Sequence, residues 1–176
     1  MFAREWTLRV QTNAVTDFDK SHVPVCRVTD PVSLAEAHQG AQRVHATWEA
    51  ENDVFIPGGQ LSAICLFAGG TTPSWEDPAC TGTVVMVDAE AHAVLRVFEA
   101  ACLYAVGDSS WHTAQAYGVR LVRRRDDAYR VELWTRLAVD DVFPKYLRAE
   151  TGLHGLVARA GAVDALRGGT ENVGRT

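Results

Sequence analysis

A chain of 176 residues and 19.2 kDa holds one domain comfortably and excludes a large two-domain enzyme. With 47% hydrophobic and 22% charged residues it is too apolar for general disorder, yet no apolar run approaches the ~18 residues of a membrane-spanning helix. A net charge of −5 excludes a generic, charge-driven nucleic-acid binder, so any nucleic-acid contact is expected to be small, local and pocket-like. The opening MFAREWTLRV carries Arg4, Glu5 and Arg9, so it does not read as a secretory signal. Cys26, Cys65, Cys80 and Cys102 form no C-x-x-C pair, which argues against a zinc cluster and for a reduced compartment.

Taken in chain order, Trp6 to Gln11 alternates apolar and polar residues and reads as a strand. Asp30-Pro31 places a capping residue before a proline, opening a helix on which Leu34, Ala37, Ala41, Val44 and Trp48 share one face. Gly40 weakens that helix. Leu61 to Phe67 and Thr83 to Val87 are short apolar strands. A second helix is expected to start near Asp88, carry Val94, Leu95, Phe98, Ala101, Cys102 and Ala105 on one stripe, and stop at Gly107. Tyr117 to Arg123 and Tyr129 to Arg136 flank Asp126-Asp127 as a hairpin. A third helix runs from about Asp141 to Glu150, with Pro144 in its first turn and Gly152 closing it, before a weak final strand. Hairpin-like neighbours and three helices predict an α+β fold with a largely antiparallel sheet, helices on one face and the other face free for a site. One domain is expected over 1–176, ending in a flexible tail from Gly168.

The informative residues are tryptophans. Trp48 sits on an apolar helix stripe and reads as core, whereas Trp75 lies in the polar, proline-bounded loop Thr72 to Pro78, either as a loop anchor or as a stacking surface. Period two puts Arg130, Glu132 and Trp134 on one face of their strand, opposite Val131 and Leu133. That face is either merely solvated or part of a site.

Several segments, in order, resemble the translation initiation factor 4E family, whose members bind the 7-methylguanosine cap of messenger RNA. Pro73 to Gly82, PSWEDPACTG, is similar to its P-x-W-E-D-P segment. Arg96 to Asp108 resembles its helix ending in Ile-Gly-Glu. Tyr117 to Arg124 followed by Arg130 to Arg136 resembles its G-V-V-x-x-R and K/R-I-x-I-W-T-K hairpin. Trp6 and Phe55 to Gly59 fit its opening strand and its P-G-x strand entry, so the likeness runs from about Trp6 to Gly152.

The resemblance implies a curved, mostly antiparallel sheet backed on one face by three α-helices, and a cap site made of Trp75, Glu76 and Trp134. A flat cationic purine stacks on indoles with added cation–π attraction, ~1–2 kcal/mol when desolvated. The Glu76 carboxylate would accept hydrogen bonds from the guanine N1–H and amino group, which adenine cannot supply together. Arg124 and Arg130 would hold the phosphates, with Arg123 and Arg125 competing for the Arg124 position because the hairpin loop is one residue longer. The family's first stacking tryptophan is missing between Asn13 and Val23, where Phe18 or His22 could replace it and Phe18 is the better fit. The family's arginine after the W-E-D loop is missing too, with Thr83 or its neighbours in its place.

Implied partners are capped mRNA (m7GpppN) and a scaffold protein of the initiation factor 4G type or a 4E-binding protein, with no membrane, no DNA and no cofactor or metal. The partner surface would include Val32, Glu36 and Leu103, although the family's tryptophan on the first helix is replaced by Glu36 or Ala35. A cytoplasmic protein, with the nucleus as a second compartment, is expected. One alternative is a divergent homologue with weak or lost cap affinity, acting as a partner-binding adaptor or translational repressor. A remote one is an esterase built on Gly107-Asp108-Ser109-Ser110 with His112 or His154 as base. That stretch follows a helix and lacks a G-x-S-x-G elbow, so a turn at a helix end explains it better.

Overall fold

The computed structural model describes residues 1–12, 22–51, 54–56, 59–72, 74, 77–107, 110–124, 128–138 and 141–164. The elements are β1 (Trp6–Thr12), β2 (His22–Val28), α1 (Pro31–Ala50), β3 (Phe55–Ile56), β4 (Gly59–Ala68), β5 (Thr83–Ala89), α2 (Ala91–Val106), α3 (Trp111–Gln115), β6 (Ala116–Arg123), β7 (Tyr129–Thr135), α4 (Val142–Thr151) and β8 (Ala158–Ala162). The curved sheet has the order β2-β1-β4-β6-β7-β5-β8, with β3 hydrogen-bonded to β4, and every pairing among these strands is antiparallel.

The helix boundaries follow local chemistry. At α1, the Asp30 carboxylate accepts from the Ser33 N–H at 2.8 Å and the Ser33 hydroxyl accepts from the Asp30 N–H at 3.1 Å, a reciprocal capping box. Pro31 stands in the first turn, where its missing N–H costs nothing. At the far end of α4, Gly152 adopts the left-handed conformation, φ 71°, that stops a helix. The start of α2 differs from expectation. Asp88 and Ala89 extend β5 and the helix begins at Ala91, because Asp88 is paired in register with Arg130 and its carboxylate is engaged with arginines on neighbouring strands. Two further elements escape a hydropathy reading. β2 contains Pro24 and alternates poorly, which an edge strand tolerates, and α3 is a five-residue helix opened by a second capping box between Ser110 and Thr113.

The helices cover the face that carries Trp6, Leu8, Leu66, Val119, Leu121, Tyr129, Val131 and Leu133, all buried. α2 packs on β5, β6 and β7 and against α1 and α4, with Tyr104 meeting Phe143 and Tyr146 at ring distances of 5.0 and 5.1 Å. α1 contributes Trp48 and His45, which meet the Tyr129 ring, while the Tyr129 hydroxyl donates to the Glu49 carboxylate. His38 reaches across to Glu99 of α2 at 3.5 Å.

The centre of the opposite face is buried as well, and it holds a polar pair. Arg120 of β6 and Glu132 of β7 face each other in register and pair at 3.3 Å, with side-chain exposures of 14% and 5%. The Arg120 Nε donates to the Gln11 amide oxygen of β1 at 2.8 Å. Burial opposes the charge on Arg120, but the Glu132 carboxylate outweighs it and raises the guanidinium above its ordinary value. The Cys65 thiol is pushed up to about 12, first by burial, so it stays protonated.

Three outcomes follow from this packing. A methyl group at Gly40 meets nothing within 4 Å, so Gly40→Ala should stabilise the protein by ~0.5–1 kcal/mol, seen as a higher urea midpoint. Arg120→Ala strands a buried carboxylate and should cost ~3–5 kcal/mol in the same measurement, whereas pairing Arg120→Met with Glu132→Leu should recover most of that loss. Burial lowers the proton affinity of both His38 and His45, partly offset by Glu99 and Glu49. The unfolded chain therefore takes up protons first as pH falls below ~6.5, and stability should decline from there, less steeply in His38→Gln.

Candidate functional site

β7 organises the helix-free face. Its alternation aims Arg130, Glu132 and Trp134 away from the helices, as expected, but the face is not a solvated one. Trp134 has no exposed surface, and its indole N–H donates to Glu132 at 3.2 Å. Phe67 of β4 meets the indole edge-on at 5.4 Å and Tyr117 of β6 does so at 6.5 Å. The three rings fit because β6 carries a bulge beside Trp134 and because Gly118 has no side chain, since a Cβ there would overlap the Phe67 ring. Glu132 thus ties the indole to the Arg120 ion pair, and the ring orientation is set by the floor of the sheet.

The loop between β4 and β5 is anchored on both sides of the W-E-D segment. The Asp77 carboxylate accepts from the Thr72 N–H at 2.7 Å, the Thr72 hydroxyl at 2.6 Å and the Ala79 N–H at 2.8 Å. The Cys80 thiol donates to the Thr72 carbonyl at 3.1 Å, and the Tyr117 hydroxyl donates to the Thr81 carbonyl at 2.9 Å. Gly82 leaves the loop at φ 93°, with a Cβ position blocked by the backbone of Thr135 and Arg136, so the loop exit is pressed against the end of β7. Trp75 and Glu76 themselves lie outside the described residues, as do Phe18 and Arg125. Asp77 was missed as a positioning residue by sequence reasoning. An acidic side chain five residues after a threonine in a proline-bounded turn was the available signal.

Four positions along β7 from Trp134, three arginines meet one carboxylate. Arg130 Nε lies 3.1 Å and Arg124 Nη1 3.6 Å from Asp88 Oδ1, and Arg159 Nη2 lies 2.7 Å from Asp88 Oδ2. Arg124 and Arg130 are therefore brought together at Asp88. Arg123 instead donates to the Glu51 carbonyl at 3.4 Å. Arg159, on β8, was missed: the strand is short and weakly patterned, and only its register opposite Met86 of β5 puts it on this face.

On the helical side, Val32 is 70% exposed and Leu103 43% exposed, and Glu36 stands one turn beyond Val32 on the exposed side of α1. Trp111 is 66% exposed on α3. His22 is buried at the start of β2. Of the residues weighed for an esterase, Asp108 and Ser109 lie outside the described residues, Ser110 caps α3, His112 meets the Trp111 ring edge-on, and His154 is exposed in a turn.

Comparison with known proteins fits this architecture. The family model for eukaryotic initiation factor 4E matches residues 42–150, more than half of the chain. No curated protein matches the sequence significantly. The fold is similar to Ascaris suum eIF4E-3 in complex with m7G cap, with a TM-score of 0.61 and 16% identity over 92% of this chain and 89% of that one. It is also similar to C. elegans eIF4E-3 with the 4E-binding protein Mextli and a cap analog, with a TM-score of 0.65 and 16% identity over 95% and 94%. A schistosome eIF4E complexed with m7GpppG and 4E-BP gives a TM-score of 0.62 and 14% identity over 94% and 90%. With the family segment reaching from α1 to α4, more than half of the chain, the chain belongs to the eukaryotic initiation factor 4E family.

Proposed function

We propose that this chain binds the 7-methylguanosine cap of messenger RNA 5′ ends and recruits a scaffold or regulatory protein of the 4E-binding class through its helical side. The observation that carries the reading is the arrangement along β7. An indole is held in a fixed orientation at one end, a basic cluster stands at the other, and the exit of the loop that carries the W-E-D sequence is pressed against the indole's end of the strand. A cap has the matching order: a flat cationic base followed by a chain of phosphates. In this scheme Trp75 stacks on the base, Glu76 reads its N1–H and amino group and Phe18 supplies the second ring, while Trp134, which has no exposed surface, supports the site from the sheet and does not touch the base directly. Arg124 and Arg130 take the phosphates, with Arg125 close by in sequence. No bond is made or broken, so the activity is binding. Val32, Glu36 and Leu103 form the partner surface.

A second reading has an observation in its favour. Trp134 has no exposed surface, and Asn13 to Val23 contains no tryptophan, so a chain that keeps the fold and the partner surface but has lost cap affinity would look the same. It would act as an adaptor or a translational repressor.

Tryptophan fluorescence separates the two. Quenching by 7-methyl-GTP and not by GTP supports cap binding; absence of quenching, with a scaffold protein still captured, supports the adaptor. Glu76→Ala should weaken 7-methyl-GTP at least tenfold, consistent with losing charge-assisted hydrogen bonds of ~1.5–3 kcal/mol. Its melting temperature should match the wild type, and unchanged affinity would overturn the assigned role of Glu76. Asp77→Ala removes three hydrogen bonds from the loop and should weaken the same ligand while leaving the sheet intact.

A further inference from the structure

Three guanidinium groups from three different strands or strand ends converge on the single Asp88 carboxylate. Among the described residues, one negative charge against three positive ones leaves an excess of two in the cluster, on a chain whose overall charge is −5. Folding gains little from such a cluster. Asp88, Arg124 and Arg159 are 48%, 40% and 52% exposed and Arg130 20%, and pairs with such exposed partners contribute little to stability. Mutual repulsion disperses like charges unless an anion holds them. Two carboxylate oxygens also fall far short of the donors that three guanidinium groups present, five N–H each, in forks suited to phosphate oxygens.

The position of the cluster is specific. Strand alternation puts Asp88, Arg130 and Arg159 on the face that carries Trp134, and Arg130 stands four residues from Trp134, about 13 Å along β7. The chain also lacks an arginine just after the W-E-D loop, where Thr83 or its neighbours stand. We propose that Arg159 is a third phosphate-binding residue, acting with Arg124 and Arg130, and that Asp88 is a built-in anion that gathers the three side chains and is displaced when a phosphate chain arrives. This rests on the cap reading above and adds to it one binding residue and one competing carboxylate.

The test compares 7-methyl-GTP with 7-methylguanosine, which has the base and no phosphate, across a salt series. Arg159→Gln should lower the affinity for 7-methyl-GTP about 3- to 10-fold relative to 7-methylguanosine. The fall in 7-methyl-GTP affinity with rising salt should become shallower, because one screened ion pair with the phosphates is lost. Asp88→Asn should raise 7-methyl-GTP affinity several-fold. Arg159 lies half exposed on a terminal strand, so melting temperatures should stay near wild type and confirm folding. If wild type binds 7-methyl-GTP and Arg159→Gln changes neither the ligand ratio nor the salt slope, the third-arginine assignment is wrong while the cap reading stands. If Asp88→Asn weakens 7-methyl-GTP, the carboxylate positions the arginines and does not compete with the ligand. A wild-type chain indifferent to 7-methyl-GTP overturns the cap reading and this inference together.

Discussion

Glu132 is a carboxylate in an almost fully enclosed place, and the helix-free face of the sheet is arranged around satisfying it. A buried charge is tolerated only when it is paired and hydrogen-bonded. Arg120 supplies the counter-charge from the adjacent strand and the Trp134 indole N–H supplies a second hydrogen bond. Arg120 is steadied in turn by Gln11 from two strands further along. Four residues on three strands therefore share one polar network beneath the candidate site.

The consequence is rigidity where a ligand would sit. An indole whose N–H is committed to Glu132, and whose edges meet Phe67 and Tyr117, has one orientation available. Gly118 belongs to the same device, because only a residue without a side chain lets the Phe67 ring lie close enough to complete the cluster. The described parts of the β4–β5 loop are tied down separately, Thr72 by Asp77 and Thr81 by Tyr117 of the sheet, so loop and floor meet at Tyr117. At the far end of β7 the balance reverses. Among the described residues, positive charge there is in excess and mostly exposed, and Asp88 engages three arginines. A buried, paired charge and an exposed, unbalanced one do different work: the first stabilises a shape, and the second leaves capacity for an anion.

Most of the fold was legible from the residues. Asp30-Pro31, Pro144 and Gly152 carry their helix-end meaning locally, through a side-chain hydrogen bond, a missing donor and a left-handed φ, and the structure puts them where that meaning requires. β2 and α3 were not legible. An edge strand with a proline and a five-residue helix leave too few residues for a period to register. The start of α2 was displaced because Asp88 resembles a cap in sequence, while its strand pairing with Arg130 is a contact across more than forty residues.

The linear order of residues determined which side chains share a face of β7 and that a W-E-D loop precedes it, because alternation and turn chemistry act over a few bonds. It also carried the motifs that mark the family. Only the tertiary structure decided that the helix-free face is sealed around a buried ion pair, and that Asp77 closes the loop from within. The same holds for Arg159, which joins Arg124 and Arg130 from a strand near the end of the chain. The reason is physical: strand register and loop closure bring together groups far apart along the backbone, and no local pattern encodes which of them will meet.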